Sequence, residues 1–219
     1  MIERILEPEV MDTFEEASAY DAMDHADVNR RFVEDLLLHA PLGRDVLDLG
    51  TGTALIPIEL CLRNEEVRVM AFDASVEMLE LARYHLESNG MTQRIQLQFG
   101  DAKELVFQDA YFDSVVSNSI VHHIPDPSTI LSEAVRVLRP GGLLFIRDLY
   151  RPDTESQIEQ LVELYTSSET EYSQQLFRQS LHAALRLDEV QALVARMGFD
   201  VQTVSMTSDR HWTWVARKI

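Results

Sequence analysis

The chain has a single cysteine, Cys61, in 219 residues, so no disulfide can form within it. That excludes the small scaffolds stapled by disulfides in oxidising compartments. Cys61 stands in an apolar helical pattern and reads as a small buried hydrophobe rather than a nucleophile. Lysine is nearly absent as well. Lys103 and Lys218 are the lysines, and Lys+Arg total 19 against 37 Asp+Glu, a formal net charge of -18. A field of that sign repels phosphate backbones and anionic lipid, and no segment carries a basic stripe. Nucleic acid and the membrane surface are therefore not expected as partners. No run approaches the roughly 20 apolar residues that span a bilayer. The opening MIERILEPEV has neither a basic stretch nor a long apolar one, and the expectation is a cytoplasmic protein. Glycine and proline, at 8 and 7, are too few for fibrous or low-complexity structure, and no internal repeat is visible.

What is present is an ordinary globular composition, 46% hydrophobic and 26% charged, in a chain long enough for one sizeable domain. Apolar spacing through Phe32, Val33, Leu36 and Leu37 predicts helix over 12–38. The run DVLDLG, 45–50, is apolar on both faces and ends in glycine, as a buried parallel strand does. Helical spacing returns over 53–62. Strands are then predicted at 67–73, 94–101, 111–119 and 143–149, with helices at 75–87 and 128–138, the latter stopped by Pro140-Gly141-Gly142. A helix at 187–197 precedes two last strands, 199–206 and 211–218. Only four residues, 207–210, lie between those two, so they must pair as an antiparallel hairpin. All the glycines fall at element ends or in loops on this reading. The fold class expected is α/β: a doubly wound, seven-stranded, mostly parallel sheet, Rossmann-like, with an antiparallel last strand and a helical cap. The chain is read as one domain: a cap over 1–40, a core over 41–149, a helical lid insertion over 150–186, and a last helix and hairpin over 187–219. Within the insertion a polar break, TSSETEYSQQ, separates two apolar helical stretches.

In open α/β sheets ligands lie beyond the carboxyl ends of the strands, where strand order reverses. The first strand ends in Asp48-Leu49-Gly50-Thr51-Gly52-Thr53-Ala54, a turn that lets backbone approach a ligand closely. Leu55 stands where the dinucleotide fingerprint needs glycine, and no Gly-Lys-Ser/Thr is present, so pyrophosphate is poorly served. Asp73 ends the second strand, where a carboxylate can accept both hydroxyls of a ribose. Asp101 ends the third, where one can accept from an exocyclic adenine amine. Asn118 and Ser119 form the polar tail of the fourth.

VLDLGTGTA, AFDAS with Met78 nearby, FGDA, FDSVVSNSIVHHIPDP and LRPGGLLFIRDL resemble the ordered motifs of the class I SAM-dependent methyltransferases, in particular the methyltransferase type 11, UbiE-like branch. The resemblance covers 44–149 and implies S-adenosylmethionine (SAM) as cofactor and a small molecule as methyl acceptor. It implies that Asp48, Gly50, Thr51 and Gly52 line the methionine and ribose, and that Asp73 holds the ribose hydroxyls. Ala74 and Met78 would lie beside the adenine, Asp101 and Ala102 at its edge, and Asn118 and Ser119 beneath the methionine. Ala54 departs from a pattern that often has a third glycine there. Tyr20, in the cap, either contacts cofactor or substrate or is a packed core tyrosine.

Transfer from a sulfonium needs mainly alignment, and a base only where the acceptor must lose a proton. His122 and His123 are the candidates; each either moves a proton or shapes the pocket. Asp148 either orients an acceptor or pairs with Arg147 or Arg151 at the surface. His25, His39, His85, His182 and His211 show no ligand spacing, and no metal site is expected. The competing readings are a non-catalytic SAM-binding module and an NAD(P)-dependent oxidoreductase on a similar sheet; aminopropyl transfer ranks lower. The oligomer expected is a monomer or homodimer.

Overall fold

A computed structural model describes residues 1–7, 13–23 and 26–219. It contains a seven-stranded sheet in the order β3-β2-β1-β4-β5-β7-β6. The strands are β1 (Asp45–Leu49), β2 (Arg68–Asp73), β3 (Ile95–Phe99), β4 (Phe112–Asn118), β5 (Leu138–Leu149), β6 (Val204–Met206) and β7 (His211–Arg217). The helices are α1 (Phe14–Asp21), α2 (Ala26–Leu37), α3 (Leu55–Arg63), α4 (Val76–Ser88), α5 (Pro127–Val137), α6 (Glu155–Thr166), α7 (Glu171–Ala183) and α8 (Leu187–Arg196), with 3-10 turns at Val121–His123 and Val201–Thr203. β1 pairs in parallel with β2 and with β4, and β2 with β3. Chain order thus runs one way from β1 to β3 and restarts at β4 on the other side of β1, which sets the switch point between β1 and β4. β6 and β7 pair antiparallel, with Ser205 opposite Thr213, as the short connection required.

The chain divides into two compact units, one of Met1–Glu9, Ser119–Ser128 and Arg147–Trp214, the other of Val10–Asn118, Thr129–Ile146 and Val215–Ile219. The second unit carries the larger core. Phe32, Leu36, Val46, Ala71, Ile95, Val116 and Phe145 pack together there, with Phe32 edge-on to Phe145 at 5.1 Å. The first has its own core of Leu149, Ile158, Val162, Leu181 and Ala184, against which Ile2, Leu161 and Phe177 pack. Cys61 is 1% exposed, and burial pushes its thiol up, in keeping with a packing role.

Several boundaries differ from those the sequence predicts. The helix expected over 12–38 is two, because α1 closes at Ala22, whose N–H bonds Ser18 O; Asp12 and His25 lie outside the described residues. Pro140-Gly141-Gly142 does not end an element but lies inside β5. Gly141 N donates to Lys218 O (2.7 Å) and Lys218 N to Gly142 O (3.0 Å), so the turn residues belong to the ladder. A Cβ on Gly142 would come within 2.8 Å of Asp113 O, so backbone approach explains the glycine there. The strand predicted over 199–206 shrinks to Val204–Met206, because the Asp200 carboxylate accepts from Gln202 N and turns the preceding residues into a 3-10 loop. The polar break in the insertion shrinks to 167–170, because Thr170 caps α7 by accepting from Ser173 N. β3 and β4 are joined by an irregular segment rather than a helix. Arg136 holds that segment, donating to Leu105 O and Phe107 O, while Glu133 accepts from Leu105 N.

Candidate active site

β1 is buried over its last four residues, and at its end the backbone turns back on β2: Gly50 N and Thr51 N both donate to Phe72 O, at 2.9 and 3.0 Å. The turn that follows needs the left-handed region at alternate residues, with φ of 69° at Gly50, 54° at Gly52 and 61° at Ala54. The glycines adopt this freely, whereas Ala54 bears a cost of roughly 1–2 kcal/mol, offset by burying its methyl completely. α3 then starts without a side-chain cap.

The acidic groups of the strand ends gather at this turn. Asp48 is 2% exposed and accepts from Thr51 Oγ1 at 2.7 Å. Burial with so little compensation, reinforced by the charge of Asp73, pushes its carboxyl up to about 7. Asp73 ends β2 and is tied to both neighbouring turns: Oδ2 accepts from Gly52 N (2.7 Å) and Oδ1 from Ser75 N (2.9 Å). Burial raises its pKa, and the backbone N–H groups of Ser75, Gly52 and Ala74 restrain the rise. Ser75 in turn caps α4 by accepting from Met78 N, which sets Met78, 6% exposed, on the inner face of that helix.

Tyr20, in the last turn of α1, has its ring against Gly52: a Cβ there would lie 3.9 Å from Tyr20 Cε1. Burial, then the charges of Asp73 and Asp21, push its hydroxyl up to about 12, so it stays a protonated phenol. Asp101 follows β3 with its side chain 53% exposed, 3.3 Å from Lys103 Nζ, beside the buried Ala102. Asn118 ends β4, and its Oδ1 is buried with no hydrogen-bond partner among the described residues. An orphaned buried acceptor costs about 1–3 kcal/mol unless a donor reaches it. All these residues belong to one compact unit. A hollow of about 930 Å³ lies elsewhere in that unit, at the amino ends of β1, β2 and β3 near Arg44, Arg68 and Arg94. Its position at the opposite strand ends gives it no part in this site.

Ser119, with φ 60°, belongs to the other unit, as do His122, His123 and Asp148. Asp148 is fully buried and is not in a surface pair with Arg147 or Arg151, which donate instead to Thr213 Oγ1 and to Ala184 O and Glu189. Its Oδ1 lies 2.5 Å from His122 Nδ1, and its Oδ2 accepts from Val121 N (2.5 Å) and His122 N (3.2 Å). His122 Nε2 faces Glu7 Oε1 at 3.3 Å, as does His123 Nδ1. Burial alone would lower the His122 pKa, but Asp148 and then Glu7 outweigh it and push the imidazole up to about 9. Asp148 and Glu7 are correspondingly held low, although burial opposes it. Each nitrogen of His122 thus faces a carboxylate, an arrangement that favours the protonated ring. Glu7 was not singled out in the sequence. No local pattern marks it, since its partners lie more than a hundred residues away.

The family model described as "Methyltransferase domain" matches residues 43–215. Among curated relatives, the ubiquinone/menaquinone biosynthesis C-methyltransferase UbiE of Geotalea daltonii is 33% identical over 56% of this chain and 52% of its own length. Methyltransferase GfsG of Streptomyces halstedii is 29% identical over 84% of this chain and 64% of its own. The chain thus spans about half to just under two thirds of the curated relatives it matches. A solved SAM-dependent methyltransferase from Aquifex aeolicus, 18% identical, superposes over 94% of this chain and 99% of that one with a TM-score of 0.70, a likeness of fold. With the family match over most of its length and the doubly wound sheet beneath it, the chain belongs to the methyltransferase-domain family of class I SAM-dependent enzymes and has UbiE-type relatives.

Proposed function

We propose that this chain is a SAM-dependent methyltransferase, of the general class 2.1.1, that moves the methyl group to a small-molecule acceptor by in-line displacement. The observation that carries this is that Asp48 and Asp73 bond to the Gly50–Thr51–Gly52 turn while Asn118, with its unpartnered Oδ1, follows Ser117, the β4 partner of Leu49. These groups fit an adenosyl amino acid. Asp73 accepts the ribose hydroxyls, Asn118 Oδ1 accepts from the amino group that its burial calls for, and Tyr20 closes the turn. Ala74 and Met78 pack beside the adenine, with Asp101 and Ala102 at its edge. Ser119 is assigned to the same role beneath the methionine by sequence alone.

When bound, SAM supplies a methyl already activated on a sulfonium sulfur, so the chain's part is chiefly to hold, align and exclude water. Of the groups expected to be catalytic, His122 has a carboxylate at each nitrogen, Asp148 at Nδ1 and Glu7 at Nε2, and Asp148 is engaged by His122. The proposed reaction therefore uses neither as a base. Residues 12–40 and 150–186 are the segments proposed to define the acceptor. The net charge of -18 favours a neutral or cationic acceptor over RNA or a lipid surface; a cytoplasmic, monomeric or dimeric enzyme is proposed from the sequence reading alone. Among the described residues no helix is long and apolar enough to cross a membrane.

The test is methyl transfer from labelled SAM to pooled small-molecule extracts, to tRNA and to anionic vesicles. Label is expected in the small-molecule pool alone. A protein that binds SAM but labels none of them would favour the non-catalytic binding module. The family membership and Leu55 both speak against the nicotinamide reading.

A further inference from the structure

Glu7, His122 and His123 form a second cluster, within the smaller unit, that the methyl-transfer chemistry does not use. Glu7 Oε1, His122 Nε2 and His123 Nδ1 all lie within 4.8 Å of one another. Oε1 stands 3.3 Å from each nitrogen, yet it is buried and forms no hydrogen bond among the described residues, and the Glu7 side chain is only 7% exposed. Three potential ligand atoms gathered this closely, one of them without a hydrogen-bond partner among the described residues, is an arrangement that a cation completes. Ligands held about 2.0–2.1 Å from a tetrahedral ion are separated by about 3.3–3.4 Å, which the two Glu7 distances match.

The supports around the donors are built as they are around metal ligands. Asp148 Oδ1 takes the other nitrogen of His122 at 2.5 Å, fixing the ring and leaving Nε2 as the donor that faces inward. Ser180 Oγ donates to the second Glu7 oxygen at 3.2 Å. Glu7 itself is held by the chain before it. Arg4 donates to Ala183 O (2.7 Å), His122 O (3.0 Å) and Ile124 O (2.9 Å), and Ile5 N donates to His182 O (3.1 Å). His123 is 20% exposed and leaves a path from solvent.

We propose that Glu7, His122 and His123 form a binding site for a borderline divalent transition metal, zinc in the first instance, with Asp148 orienting His122. Two imidazoles and one carboxylate suit zinc, cobalt or nickel, whereas magnesium and calcium call for more oxygens than the cluster has. Three protein ligands leave a fourth position for water or a ligand heteroatom. The ion fastens residues 1–7 to the Val121–His123 turn.

The test titrates the metal-stripped full chain with Zn²⁺ by calorimetry and with Co²⁺ by visible absorption. One equivalent of either metal is expected at micromolar affinity or tighter, with the intense colour of tetrahedral cobalt and a higher Tm in zinc. Glu7→Gln and His123→Ala should each weaken binding at least tenfold, and Asp148→Asn should weaken it about 10–100-fold. His39→Gln, which is no part of the cluster, should change nothing. His123→Ala removes a partly exposed ring and keeps the test available if Glu7→Gln does not fold. Absence of binding by folded wild-type chain overturns the site, and so does one-equivalent binding that both Glu7→Gln and His123→Ala retain. Methyl-transfer activity enters none of these readouts.

Discussion

Two side chains at the strand ends carry opposite costs, and each cost predicts a measurement. Asp48 has a folded pKa of about 7 against an ordinary value of 3.8, because it is buried with a single hydroxyl partner. A carboxyl whose folded pKa is raised favours the folded state while protonated. Its contribution is present at low pH and is lost as pH climbs from near 4 through about 7. Chemical denaturation across that window should show stability falling with pH in wild type, and Asp48→Asn should flatten the fall. A slope unchanged in Asp48→Asn would mean that Asp48 is not the group responsible. Asn118 is the complementary case. Its Oδ1 is buried without a partner among the described residues, so removing it takes away a cost of about 1–3 kcal/mol. Asn118→Ala should therefore leave the ligand-free protein at least as stable as wild type while weakening SAM binding. A variant that loses stability and keeps its affinity would contradict the role given to this atom.

At the scale of elements, burial-driven features were legible in the sequence and side-chain-driven ones were not. The strands β1, β2 and β4 are apolar runs closed by glycine or polar residues, and period alone locates them. The strand-end acids Asp48 and Asp73 follow directly, because parallel strands present their carboxyl ends to one crevice. What escaped is structure made by side chains bonding to backbone. Asp200 turned part of a predicted strand into a 3-10 loop, and Thr170 started α7 inside an apparent break. Gly141 and Gly142 read as a stop but pair with the end of the chain. Glu7 could not be found locally at all, since its partners come from distant segments. The β3–β4 connection depends most on such bonding, and it yields a prediction. Arg136→Ala removes the donors to Leu105 O and Phe107 O and the ion pairs to Glu133 and Asp109. Hydrogen exchange over 100–111 should accelerate, with a global loss of about 1–3 kcal/mol. Exchange in that segment equal to wild type would show that Arg136 does not hold it.

At the scale of the whole molecule, one sheet topology and one charge sign frame the function. The restart of strand order at β4 brings the ends of β1, β2 and β4 together, which is where doubly wound sheets take their ligands. The excess of 37 acidic over 19 basic residues is the ground for the proposed uncharged or cationic acceptor. Both features rest on the cofactor site being where the strand-end carboxylates meet. The direct measurement is calorimetric titration of the full chain with SAM and with S-adenosylhomocysteine, for wild type and Asp73→Ala. The account predicts one site of micromolar affinity for each ligand in wild type and at least a tenfold loss in the variant, the carboxylate's bonds to the ribose being worth more than about 1.4 kcal/mol. Well-folded wild-type protein that binds neither ligand, or an Asp73→Ala variant that binds both as wild type does, would contradict it.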